Sequence, residues 1–329
     1  MISSHEKPSC VVCGAESTDV VHFQPADYEY YVVPKRQFKV FQCHGCGSRF
    51  IHPRPTVAEL VSFYPDDYHA YHEDHGGFAA ALVAMRDRTR ARQYQHLASS
   101  RPIRLFDVGT GDCRHFQALL RHAEFEFAGV EIKPEMVQAA RDRGFDVHEG
   151  TLEDMDLSGH QERYDLVTMY QLVEHVLDPG SLFAKAAVLL KPGGWALGQL
   201  PCMDSLERRL FGRHWAGYHF PRHLQMLTKR GLRTLLTRAG FTEVAVTTAL
   251  HLQAGLSAQN LLVGGLGYRP RLRHGKTPIY TLLLLAVAPF CAAEYVCRQG
   301  GMMNFLARKP ASGRQCPDPA PEVPARAGC

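Results

Sequence analysis

Two pairs of cysteines carry the plainest chemistry in the chain: Cys10-Val11-Val12-Cys13-Gly14 and Cys43-His44-Gly45-Cys46-Gly47. Two thiolates two residues apart can grip one metal ion, and the glycine that follows lets the backbone turn tightly around it. The pairs are separated by the 29 residues 14–42, enough for a few short strands between two knuckles. Four thiolates at about 2.3 Å make a closed tetrahedral zinc site, which serves structure rather than catalysis. Cys10, Cys13, Cys43 and Cys46 are therefore the expected ligands of one Zn2+, with His44 and His52 as bystanders. Residues 1–53 are too few to build a core of their own, so the metal would supply folding energy.

A second group of residues has the makings of a nucleotide or nucleoside site. Ile103-Arg104-Leu105-Phe106-Asp107-Val108 reads as an apolar strand ending in an acid, followed by Gly109-Thr110-Gly111 and a helix from Arg114 to His122. A glycine turn between strand and helix lets a ligand approach the backbone at the C-terminal edge of a parallel sheet. The next strand, 125–132, carries Glu131, which lies 20 residues beyond Gly111, where a carboxylate can accept both hydroxyl hydrogens of a ribose. Gly150-Thr151-Leu152-Glu153-Asp154 stands where a third strand should end, with an acid to receive an adenine amino group. A pyrophosphate-binding turn wants a third glycine at the position of Arg114, and Asp107 would repel a phosphate while attracting an ammonium or sulfonium. The turn therefore favours S-adenosylmethionine over a dinucleotide.

The reactive groups should stand at the end of the fourth strand, 164–169, where Tyr170, Gln171, Glu174 and His175 follow. Methylation of a hydroxyl needs the proton removed as oxygen attacks, by a base, a metal or positioning alone. His175 has the intrinsic pKa of a base near neutrality, and Glu174 beside it could orient a group or join a divalent metal site. The bland alternative is that both merely cap the next helix. After a fifth strand, 195–200, the stretch 208–223 mixes arginines, histidines and aromatic rings, a composition suited to a substrate lid. Its Trp215 or Tyr218 could stack on a ring, its arginines could grip an anion, and His219 and His223 are further base candidates.

These groups need a scaffold. Alternating strand and helix patterns over 101–309 predict an α/β fold with a parallel, Rossmann-like sheet, and 302–307 reads as its last strand. The zinc ribbon precedes it, and residues 54–100 form a linker and helical cap. There Tyr64, Tyr68 and Tyr71 could touch a ligand or simply pack, and the arginines at 86, 88, 90 and 92 read as a solvated face. An insertion at about 250–300 precedes the last strand, and within it 279–297 is mostly apolar, broken by Pro289 and Glu294. It reads first as a buried or dimer-forming helix, and next as a peripheral membrane contact, because Arg269, Arg271, Arg273 and Lys276 precede it. The tail from 310 has a disordered composition. At 45% hydrophobic and 21% charged residues the chain is of soluble type, and a net charge of +4 does not argue for a nucleic-acid partner. The opening MISSHEKPSC carries no secretory pattern, so a cytoplasmic location is expected, where paired cysteines bind metal more often than they form disulfides.

In order and spacing, Phe106-Asp107-Val108-Gly109-Thr110-Gly111, Gly129-Val130-Glu131, Tyr164-Asp165-Leu166-Val167, Glu174-His175-Val176-Leu177-Asp178-Pro179 and Leu190-Lys191-Pro192-Gly193-Gly194 resemble class I S-adenosylmethionine-dependent methyltransferases. The Glu174–Pro179 string is most similar to the type 23 branch that contains ubiquinone-biosynthesis-type O-methyltransferases, and a preceding CxxCG pair resembles bacterial methyltransferases of cell-surface sugar or secondary-metabolite pathways. The resemblance implies that the methionine part of the cofactor lies near Asp107, Gly109 and Gly111, that Glu131 holds the ribose, that Leu152 and Glu153 flank the adenine, and that Tyr170 lies beside the bound cofactor. It also implies a Rossmann-like seven-stranded sheet whose last strand, 302–307, runs antiparallel, and a small-molecule acceptor with O-methylation preferred. One departure is Cys113, where the family has a further glycine and where a side chain could crowd the cofactor or force a shifted turn. An RNA methyltransferase, and a binding protein that has lost activity, remain alternative readings.

Overall fold

The computed structural model describes residues 7–23, 26–65, 68 and 77–311, with the side chains of 77–82 excepted. Tyr71 and the tail from 312 onward lie outside the described residues. The central sheet is built on β4 (Ile103–Val108), β5 (Phe125–Glu131), β6 (Asp146–Glu149), β7 (Tyr164–Tyr170) and β8 (Leu190–Pro201), all parallel, with β10 (Ala245–Ala249) and β11 (Met302–Arg308) completing seven strands. Their order is β10-β11-β8-β7-β4-β5-β6, and β11 is antiparallel to both neighbours. Because β4 pairs with β5 on one side and β7 on the other, the chain reverses its winding there, and the carboxyl ends of β4 and β7 flank the crevice where such sheets bind ligands. Leu166, Val167 and Met169 are fully buried on β7, as expected of a central strand covered on both faces.

Most expected elements are present, with altered ends. The fifth strand begins at Leu190 rather than Trp195, since α5 (Pro179–Leu189) runs straight into it. The strand expected from Phe241 begins at Ala245 instead. Phe241 donates its N–H to Leu236 of α7 (Lys229–Arg238) and buries its ring, so 241–244 complete the helix end before the strand can form.

The cysteine-bearing segment forms a second, four-stranded sheet. Strands β1 (Thr18–Val20), β2 (Lys39–Cys43) and β3 (Arg49–His52) are antiparallel, and β9 (Gln225–Met226), which follows β8 in the chain, adds the fourth. The ribbon is not free-standing. Cys10, Val12, Cys43 and Cys46 share one hydrophobic cluster with Leu232, Leu235 and Leu236 of α7. Thr228, the N-cap of α7, accepts from the Gly231 N–H at 2.9 Å and donates its hydroxyl to the Cys46 carbonyl at 2.7 Å. A module too small to bury its own apolar surface has borrowed a core from its neighbour.

The insertion contains α8 (Ala254–Asn260) and α9 (Tyr280–Val296). Against the expectation of a buried helix, α9 buries only Cys291 and Glu294. It lies on the surface, packing through one edge on α8. No helix among the described residues is long and apolar enough to cross a membrane.

Candidate active site

The turn after β4 is shaped by glycines. Gly109 has φ +77 and donates its N–H to the Val130 carbonyl at 2.9 Å, and a Cβ there would meet Leu172 Cδ1 at 2.9 Å. Gly129 lets β5 lie against the turn, since a Cβ would come within 2.3 Å of Thr110 Cγ2 and 2.8 Å of the Asp107 carbonyl oxygen. Gly111 donates its N–H to Glu131 Oε2 at 2.9 Å, and the Lys133 N–H donates to Oε1 at 3.0 Å. The Glu131 carboxylate is thus held at the end of β5, and burial raises its pKa. Asp107 is 3% exposed and accepts from the Thr168 hydroxyl of β7. Burial pushes its pKa up to about 7, and Glu131 adds to the rise, against the opposing pull of Thr168 and Arg90.

Cys113 does not crowd this turn. It takes the left-handed conformation, φ +58, that a glycine would take more cheaply, and its side chain is fully buried in a cluster with Leu105, Phe116 and Leu119. Burial pushes the thiol up to about 12, which leaves it an inert core group rather than a nucleophile.

One candidate functional residue escaped the sequence reading. Arg90, assigned there to a solvated face, turns inward from α2 (Gly77–Leu97), with its guanidinium carbon 4.0 Å from the centre of the Tyr170 ring. Burial opposes its charge, but Tyr170, Tyr94, Asp87 and Asp107 around it more than offset this. The helix carries no amphipathic pattern that would have shown this, and only the structure reveals that Asp87, Ala91 and Tyr94 form its buried stripe with Arg90 beside it. Tyr170 also receives a hydrogen bond from the Tyr94 hydroxyl at 3.2 Å.

At the end of β6, Leu152 is fully buried in the main core, so only its backbone is available to a ligand. Glu153 keeps Oε1 buried without a partner, an orphaned acceptor that an adenine amino group would satisfy. S-adenosylmethionine fits this donor set. Arg90 suits its carboxylate, Asp107 its ammonium, Glu131 its ribose hydroxyls and Glu153 its adenine.

Beyond β7, Leu172 rests against Gly109, and two residues later Glu174 is buried with neither carboxylate oxygen partnered. Burial pushes its pKa up to about 8. Ligand atoms of Glu174, His175 and His223 lie within 4.8 Å of one another. His175 Nδ1 is 2.8 Å from the Tyr64 hydroxyl and 3.1 Å from the Arg222 carbonyl, and His223 Nδ1 is 2.9 Å from the Gly217 carbonyl. The Gly217 carbonyl can only accept, so His223 Nδ1 carries the proton and its Nε2 the lone pair, whereas His175 Nδ1 faces both a carbonyl and the nearer Tyr64 hydroxyl, which can donate as well as accept. Burial, His175 and His219 hold the His223 pKa well below the usual value. The loop is braced by Arg54, which donates to the carbonyls of Val176, Leu177 and Leu224.

The stretch 208–223 differs from the expected lid. Trp215 and Tyr218 are buried in a cluster with Phe38 and Phe220, and so they present no face for stacking. His219 is a poor base candidate. Its Nδ1 faces Glu29 at 3.1 Å, and its Nε2 accepts from Arg222 Nε at 2.8 Å, while Arg222 forms a buried two-pronged pair with Asp27. This network locks the segment before β2 onto the catalytic domain.

The cysteines meet as expected. Cys10 and Cys46 sulfurs are 3.8 Å apart, Cys13 and Cys43 sulfurs 3.5 Å, and all four lie within 4.8 Å. A tetrahedron with zinc–sulfur arms of about 2.3 Å has edges of about 3.8 Å, so Zn2+ fits. Gly14 and Gly47 close the knuckles at φ +75 and +78, and His44 faces Asp19 instead of the thiolates.

A family model described as a methyltransferase domain matches residues 78–246. Proteins named ubiquinone biosynthesis O-methyltransferase are similar over a shorter stretch. That of Hydrogenovibrio crunogenus is 33% identical over 97 residues, 28% of this chain and 39% of the relative. That of Bordetella avium is 32% identical over 112 residues, 32% of this chain and 46% of the relative. The match therefore spans less than half the length of either relative. Among solved structures, an S-adenosylmethionine-dependent methyltransferase from Archaeoglobus fulgidus is 18% identical, with 69% of this chain and 94% of that chain covered at a TM-score of 0.45. Phosphoethanolamine N-methyltransferase 2 of Haemonchus contortus is 14% identical, covering 78% and 57% at a TM-score of 0.45. With the family match extending over half the chain and the seven-stranded sheet in the order described, the chain belongs to the class I S-adenosylmethionine-dependent methyltransferases.

Proposed function

We propose that the protein methylates a hydroxyl of a small acceptor, such as a sugar, a glycolipid precursor or a natural-product intermediate, with His175 receiving the proton. The observation that carries this reading is the Glu174–His175–His223 cluster, with Glu174 and His223 buried and His175 half-buried, beyond the carboxyl end of β7 and joined to the glycine turn through the Leu172–Gly109 contact. When bound, S-adenosylmethionine supplies an electrophilic methyl group on a sulfonium. The chain's own work is to hold, orient and deprotonate. Arg90, Asp107, Glu131 and Glu153 would bind the cofactor. The Tyr64 hydroxyl and the Arg222 carbonyl at Nδ1 fix the His175 ring, and with the proton on Nδ1 its Nε2 is the atom that takes the acceptor proton. Glu174, kept largely protonated at neutral pH by its burial, stands beside it to orient the ring rather than to neutralise it, and His223 stays neutral, so it does not repel the imidazolium. The name of the relatives over 28–32% of this chain supports O-methylation.

A second reading rests on the same three residues. A buried carboxylate and two imidazoles within 4.8 Å suit a divalent cation, which would acidify the acceptor hydroxyl in place of a base. The test is calorimetric titration with S-adenosylhomocysteine, then transfer of labelled methyl to a panel of sugars, phenols and lipid-linked precursors. His175→Ala should retain cofactor affinity and lose turnover by about 100-fold or more. Full turnover in that variant overturns the base assignment. Turnover abolished by a chelator and restored by Mg2+, with the zinc ribbon intact, establishes the second reading instead.

A further inference from the structure

The insertion before β11 presents a surface that neither the cofactor cradle nor the Glu174 cluster uses. Helix α9 has two unlike faces. Tyr280, Leu284, Cys291 and Glu294 turn toward the body: a Cβ on Gly255 of α8 would meet Leu284 at 2.6 Å and Tyr280 at 3.6 Å, and Cys291 and Glu294 are buried. On the outer face stand Leu282, Leu285, Ala286, Pro289, Ala293 and Val296, spaced three and four apart as one stripe along the helix, all exposed. Leu282 is 65% exposed, Leu285 68% and Val296 78%. A soluble surface helix normally puts charged residues there, and this stripe carries none.

The charge around the stripe is one-sided. Across 250–300 the only acidic residue is Glu294, which is buried, while Arg269, Arg271, Arg273, Lys276 and Arg298 are basic. The basic loop abuts the start of the helix, with Lys276 Nζ 5.4 Å from the centre of the Tyr280 ring. Leu266, 74% exposed, and Tyr268 extend the apolar surface into that loop. A second copy docked through α9 would set this basic loop against Arg298 or against its own equivalent, with no exposed acid in the insertion to receive it. A spanning role is also closed. Seventeen residues rise about 25 Å, short of the roughly 30 Å hydrocarbon core.

From the exposed apolar stripe and the unopposed basic loop, we infer that the insertion docks the protein on the surface of an anionic lipid bilayer, with the outer face of α9 in the headgroup–acyl boundary and the 269–276 loop among the headgroups. Such helices lie in the interface plane with basic residues drawn to anionic lipid. Docking there would bring the neighbouring machinery to the surface. The Ser257 hydroxyl of α8 accepts from the Ala216 N–H at 2.8 Å, and a Cβ on Gly265 would meet His214 at 3.4 Å, so the insertion is fastened to the segment that also carries His223.

The test is co-sedimentation of the full-length, zinc-loaded protein with phosphatidylcholine vesicles, with and without phosphatidylglycerol. The variants are Leu282→Glu with Leu285→Glu, and Arg269→Ala with Arg271→Ala and Arg273→Ala. All lie on exposed positions, and retained S-adenosylhomocysteine binding confirms that each is folded. The expected result is pelleting with the anionic vesicles only, weakened by salt, and weakened about tenfold or more by either set of substitutions. Absence of pelleting, or pelleting that both sets leave unchanged, overturns the inference. A dimer in sedimentation velocity that Leu282→Glu with Leu285→Glu dissolves, in protein that ignores vesicles, assigns the face to a second copy and overturns it equally.

Discussion

Asp107 should make cofactor affinity depend on pH in the neutral range. Its carboxyl is buried between β4 and β7, and burial holds its pKa up at about 7. A cationic ammonium requires the ionised form, so affinity is full above that value and falls as pH drops through it, by about one decade per unit well below it. Between about pH 8 and about pH 6 the dissociation constant for S-adenosylhomocysteine should therefore rise about tenfold, or about 1.4 kcal/mol. The ligand keeps its ammonium across this window, and so the dependence belongs to the protein. Calorimetric titration at several pH values measures it directly. Asp107→Asn should bind weakly at every pH and with a flat profile, because the Thr168 hydroxyl still has an acceptor but the charge is gone. A flat profile in the unaltered protein refutes the reasoning, as does a profile that Asp107→Asn leaves sloped.

Arg90→Ala should weaken the same ligand by about 1.5–3 kcal/mol, the scale of hydrogen bonds to a charged group, and should move the Asp107 midpoint upward, since Arg90 pulls that pKa down. Metal analysis should find one zinc per chain, and Cys43→Ser should lose it together with thermal stability, because Cys43 is fully buried in the shared core. Asp165 offers a linkage test at the opposite end of the sheet. Burial pushes its pKa up, but Lys191, Ser100, Ser99 and the Arg104 N–H pull it down to about 2. A depressed carboxylate stabilises the fold above its unfolded pKa near 3.9 and loses that contribution as pH falls toward about 2. Asp165→Asn should thus lower the melting temperature at neutral pH, and the gap from the unaltered protein should close in acid.

Patterns local in the chain were legible in the sequence. The two CxxCG knuckles declare their own geometry, because ligand spacing and the trailing glycine set how one metal is gripped. The alternation of strands and helices, the glycine turn after β4 and the acid at Glu131 follow from side-chain period and backbone freedom alone, and the antiparallel last strand follows from resemblance. What depends on residues far apart was decided only by the fold. Arg90 and Arg92 look alike in the sequence, but one lies over the Tyr170 ring while the other faces solvent, because the position of a buried stripe depends on what covers it. His219 and His223 stand four apart. Contacts with Glu29 and Arg222 tie up the first, while the second joins Glu174 and His175, whose neighbours come from 64 and 217–222. Cys113 threatened the cofactor turn on paper, yet its left-handed backbone aims the thiol into the core. The apolar run of α9 has a composition that suits burial, dimerisation or a lipid surface equally. Only its packing, with one edge on α8 and the other facing out, tells which side is left over, since burial is a property of the neighbours a helix finds and not of the helix itself.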